Sequence, residues 1–118
     1  MLNSMSDNQK FDARYAVSIH GACSDSPEGH LHIKDMGTRA FLAQGSIKAE
    51  LGDVICMTFF VHPSSGPREI HIKGSVVNIQ GEGEASLVGI KIESYQDEAE
   101  KAAYLEFVAE VASELEEL

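Results

Sequence analysis

Apolar residues recur at every second position through most of the chain. In RYAVSIHGAC, Tyr15, Val17, Ile19 and Cys23 alternate with Ala16, Ser18 and His20, the period of a half-buried strand. Leu31 and Ile33 share one face of HLHIKDM, RAFLAQ follows, and DVICMTFFVH is a strongly β-prone run. REIHIKGSVVNIQ keeps Ile70 and Ile72 in step, then shifts parity around Gly74, Val76 and Val77, which predicts a bulge. ASLVGIKIES sets Val88, Ile90 and Ile92 in register. SDSPEG, ELGD, HPSSGP and GEGE punctuate these runs with residues suited to turns. The pattern predicts six strands over residues 13–93. Short strands at regular spacing predict a small antiparallel sheet closed on itself.

The period then changes. Leu105, Val108, Val111, Ala112, Leu115 and Leu118 recur at three- and four-residue spacing, with Tyr104 and Phe107 widening the face. A helix is predicted over residues 96–117, roughly 30 Å long. Ser94, with Asp97 three residues on, reads as its N-cap. Glu114, Glu116 and Glu117 stand at the end where the helix dipole disfavours acids. The apolar stripe must cover the open end of the barrel, a partner protein or a second copy.

The 118 residues suffice for one core without staples. A polar, patternless lead-in at residues 1–9 is expected to be disordered, with a single domain over 10–118. Cys23 and Cys56 sit far apart in strand-like runs and read as buried, reduced thiols. No apolar run approaches the roughly 18 residues of a membrane span, and MLNSMSDNQK lacks an apolar signal region.

The net charge of −10 is unevenly spread. Residues 93–118 hold nine acids and one base, a net of −8, which leaves −2 for the remainder. DNA and RNA are excluded as partners, because they need a broad basic surface. A small dianion held by local arginines is not.

Catalytic signatures are absent: the chain has no phosphate loop, no HExxH and no GxSxG. His30 and His32 would share one strand face without a cysteine or carboxylate at ligand spacing, so no metal is expected. The more informative residues are basic. Lys10 and Arg14 flank KFDAR where the lead-in meets the first strand, and Arg39 lies in IKDMGTRAF beside Asp35 and Gly37. A basic arm next to a turn can clamp a phosphate and a guanine. Arg binds phosphate bidentately and stacks on bases, Asp35 could accept from a guanine edge, and Gly37 would admit the ligand to the backbone. The same residues would also serve a plain solvated hairpin.

These stretches resemble the PilZ family. IKDMGTRAF is similar to its second signature, an Asp or Asn, any residue, a Ser, two residues, then Gly, on a strand-turn-strand. ELGDVICMTFFV, IKGSVVNIQGEGEASLVGIKI and the AAYLEFV helix follow the family's order, from about residue 10 to 112. The resemblance implies a mainly β fold, a six-stranded antiparallel barrel with one C-terminal helix. It implies a non-catalytic bacterial cytoplasmic receptor or adaptor that needs no cofactor. Its ligand would be cyclic di-GMP, held by Lys10, Arg14, Asp35, Gly37, Arg39 and Ala40. A protein partner would be contacted by the barrel surface or the helix, the chain being a monomer or homodimer. Lys10 stands for the family's first arginine, Gly37 for the serine and Ala40 for the glycine. Losing one charged contact costs about 1.5–3 kcal/mol, roughly tenfold to a hundredfold in affinity. The alternative is a degenerate interaction module that binds no nucleotide.

Overall fold

The two-residue alternation becomes six strands in a closed barrel, followed by one helix. The computed structural model describes residues 14–23, 30–45, 49–81 and 86–117, with side chains through Glu114. The lead-in, Lys10, the SDSPEG turn, the GEGE turn after Gly81, and the Leu115 and Leu118 side chains lie outside the described residues. The strands are β1 (Arg14–Cys23), β2 (His30–Gly37), β3 (Ala40–Gln44), β4 (Val54–Val61), β5 (Arg68–Gln80) and β6 (Leu87–Tyr95). Helix α1 spans Glu98–Glu117.

All pairings are antiparallel, in the order β1-β2-β3-β6-β5-β4. The barrel is therefore two three-stranded meanders joined at two seams. One seam pairs β3 with β6, Ala40 opposite Lys91. The other pairs β1 with β4, Gly21 opposite Phe59. The parity shift read around Gly74 and Val76 is real. The β5–β6 register slips at Lys73/Gly74 and again at Val76/Asn78, and each slip bends the strand as closure requires.

Inward-facing residues fill the barrel: Leu31, Ile33, Met36, Phe41, Ile70 and Ile90 are each at most 1% exposed. Phe59 joins this core to the helix. Its ring meets Phe41 edge-on at 5.7 Å and Tyr104 at 6.1 Å, an arrangement aromatic quadrupoles favour.

The helix crosses one end of the barrel, the end that holds Gly37, the β4–β5 turn, His71 and Tyr95. Three expectations change here. The cap is Asp97, whose Oδ1 accepts the Glu100 N–H at 2.8 Å; Ser94 is still in β6, opposite Lys73. The buried face centres on Glu100, Tyr104 and Val108, with Ala103 beside them. It packs on the barrel itself, and Leu105 and Phe107 are partly buried at its margin. Cys56 points out of β4 and is half-buried, whereas Cys23 is in the core; neither forms a disulfide.

Glu100 is the polar residue that the hydrophobic pattern hid. It is 4% exposed, and its Oε1 accepts from the His71 backbone N–H at 2.5 Å with His71 Nδ1 at 3.1 Å. Further along, the acids of α1 fasten the β4–β5 turn. Ser64 N–H donates to the Glu110 carboxylate at 2.9 Å, and Ser65 Oγ to Glu106 at 2.8 Å. Part of the segment's negative charge is thus spent on hydrogen bonds within the fold.

Candidate functional site

The quoted hairpin is tighter than its sequence suggests. Asp35 and Gly37 lie within β2, and Thr38 and Arg39 alone make the turn before Ala40 opens β3. Among the described residues only Gly52, Gly66 and Gly81 have positive φ. Gly37 and Ala40 are therefore not in the left-handed region, and the methyl of Ala40 carries no backbone strain. The turn is held from two sides. Ile92 N–H donates to the Arg39 carbonyl at 2.7 Å. Tyr104 O–H donates to the Gly37 carbonyl at 2.6 Å, in a buried bond.

Arg14 starts β1 directly opposite Gly37. That register brings its side chain to the turn, so Arg14, Gly37, Thr38, Arg39 and Ala40 line one cleft of about 200 Å³. Arg14 Nε lies 3.3 Å from Asp35 Oδ1. Asp35 Oδ1 is shielded from water and accepts no hydrogen bond, so this is an ion pair without hydrogen-bond geometry. A buried acceptor in that condition is costly. Five of the six expected site residues are therefore neighbours at one end of the barrel, and Lys10 lies outside the described residues.

A larger cleft, about 400 Å³, opens where β4, β5 and the end of β6 meet, lined by Cys56, His71, Lys73, Ser94, Tyr95 and Gln96. The sequence showed no sign of it, because its residues come from three strands. Burial pushes the Tyr95 phenol up to about 12. Burial, then the charge of Tyr95, raises the Tyr104 phenol further. The cleft suits a dianion poorly, since His71 stands between Glu69 at 3.4 Å and Glu100 at 3.1 Å.

His30 and His32 do share the outer face of β2, and His20 of β1 lies between them. The His20 ring stacks on His30 at 5.1 Å and on His32 at 4.6 Å, His20 Nδ1 is 3.0 Å from His30 Nε2, and His32 Nε2 is 2.7 Å from Ser18 Oγ. Among the described residues no group of three His, Cys, Asp or Glu is arranged to hold a metal ion. Partial desolvation, then the charges of Lys34, His20 and His30, lower the His32 pKa below its usual 6.5. The native state then binds a proton less readily than the unfolded chain, so stability falls as the pH drops below about 6.5 through the native value. Thermal melting from pH 7.5 to 5.5 is expected to fall less steeply for His32→Gln than for the parent. Superimposable pH profiles would contradict this.

The closed antiparallel barrel with its terminal helix is a PilZ-like fold. Among solved structures it is similar to that of the Bacillus subtilis inhibitor of motility MotI/DgrA, a PilZ-domain protein. The TM-score is 0.73 at 8% identity, over 88% of this chain and 50% of that one. The chain thus spans half the length of that neighbour. No family model and no curated protein sequence matches it. Among the described residues no helix is long and apolar enough to cross a membrane.

Proposed function

We propose that this chain is a non-catalytic cyclic di-GMP receptor or adaptor of the PilZ type, acting in the bacterial cytoplasm. The observation that carries the reading is the cleft itself. Arg14, Asp35 and the Gly37–Ala40 turn meet at one end of a PilZ-like barrel. Arg14 and Arg39 would hold phosphate and stack on guanine. Asp35 Oδ1, lacking a hydrogen bond, would gain a donor from a guanine edge once Arg14 swings toward phosphate. Lys10 would close the site from the arm as a point charge. The unstrained backbone at Ala40 removes the steric objection to its methyl group, while the changes at Lys10 and Gly37 favour micromolar affinity over tighter binding.

The test is calorimetric titration of cyclic di-GMP into the purified chain, with GMP as control. Saturable heat with a micromolar dissociation constant for the cyclic dinucleotide alone is the expected result. A flat titration to high micromolar ligand would reject the reading.

A second reading, a protein-contact module without nucleotide, is favoured by one surface. At the opposite end of the barrel Leu51, Val54 and Val77 are 66%, 58% and 55% exposed. Backbone bonds from Gly52 N–H to Val76 O and from Val76 N–H to Asp53 O bring them side by side. Exposed aliphatic groups so grouped are typical of contact surfaces. The described apolar residues of α1 are largely spent on the barrel, so this surface is the stronger site for a partner.

A further inference from the structure

We propose that Tyr104 is a positioning residue through which α1 holds the ligand turn, so that occupancy of the cleft and seating of the helix are coupled. The inference rests on the cyclic di-GMP reading for the identity of the ligand, but its structural half does not.

Tyr104 is fully buried in the middle of the helix's inner face. Its ring belongs to the core, 5.7 Å from Tyr95 and 6.1 Å from Phe59. Packing at those rings accounts for an aromatic side chain but not for a hydroxyl. A buried phenol needs a partner, and this one donates at 2.6 Å to the carbonyl of Gly37. Gly37 is the last residue of β2 and lines the cleft beside Arg14, Thr38, Arg39 and Ala40. One hydrogen bond thus ties a helix 67 residues further along the chain to the backbone that the ligand would touch.

The bond has two consequences. It fixes the turn before a ligand arrives, which lowers the ordering cost of binding. It also makes the coupling reciprocal. If a seated helix favours the ligand, then the ligand favours the seated helix by the same factor. A change at the turn can thereby reach α1 and the β4–β5 turn, which Glu106 and Glu110 bind.

Tyr104→Phe deletes the hydroxyl and keeps the ring. Two measurements decide the matter. In the ligand-free protein, amide hydrogen exchange at Thr38, Arg39 and Ala40 is expected to quicken severalfold, with Val88 and Ile90 in the core unchanged. In calorimetry, cyclic di-GMP affinity is expected to fall about five- to tenfold, the low end of measured site-to-site couplings. A purely structural tyrosine would lower thermal stability and leave the affinity alone. Unchanged exchange at the turn overturns the proposal, and so does quickened exchange with unchanged affinity. If the parent binds no cyclic di-GMP yet the turn loosens in Tyr104→Phe, the ligand reading fails and the hold of Tyr104 on the turn stands.

Discussion

Arg14→Ala is expected to weaken cyclic di-GMP binding about a hundredfold or more while moving the unfolding midpoint little. The guanidinium would make at least two charge-assisted contacts with the ligand, each worth about 1.5–3 kcal/mol. Its removal does further harm at the site. The Asp35 carboxylate, now 3.3 Å from Arg14 Nε, would face an incoming phosphate with no counter-charge. The fold loses less. The Arg14 and Asp35 side chains are 43% and 25% exposed, so solvent screens much of their attraction, and a pair without hydrogen-bond geometry contributes on the order of 1 kcal/mol. Arg14→Lys should fall between parent and alanine, because it keeps the charge and loses the planar fork. Parallel calorimetry and urea unfolding measure both quantities. Affinity retained by Arg14→Ala would move any ligand away from this cleft.

The second large effect is on stability. Phe59→Ala is expected to cost about 3–5 kcal/mol, the usual range for truncating a buried aromatic ring. Phe59 is 2% exposed and touches Phe41 on one side and Tyr104 on the other. A cavity there would loosen the barrel and the helix seat together, so the site cannot relax to fill it cheaply. Domains of this size have only about 5–15 kcal/mol in total. The variant should therefore unfold at markedly lower urea concentration, and Phe59→Leu should recover much of the loss. A cost below about 1.5 kcal/mol would mean that the helix is not seated through this ring.

The strands were legible because a barrel buries one face, and burial writes a period of two into the sequence. Val88, Ile90 and the pair Ile70 and Ile72 carry it plainly, and the break at Gly74 to Val77 marks two real bulges. The helix was legible in extent, but its inner face was misjudged. A hydrophobic stripe cannot point to Glu100, whose burial depends on a backbone N–H from β5. It does place Tyr104 on the buried face, but not the partner of its hydroxyl, which finds its acceptor 67 positions away. Asp97 was part of the expected cap, yet β6 runs two residues past the predicted strand limit and displaces Ser94 from it. The sequence named the candidate residues but not their arrangement. Nothing in IKDMGTRAF says that Arg14 stands opposite Gly37, because register is a property of the folded sheet.

Barrel closure has a consequence for how the chain reaches this state. The two meanders can form locally, each from consecutive strands. The two seams cannot, since they unite Ala40 with Lys91 and Gly21 with Phe59. Such high contact order places folding in the slow regime, roughly milliseconds to seconds. Until both seams zip, four strand edges are open to other copies of the chain. The hazard of aggregation is therefore confined to an interval of folding and ends when the barrel shuts.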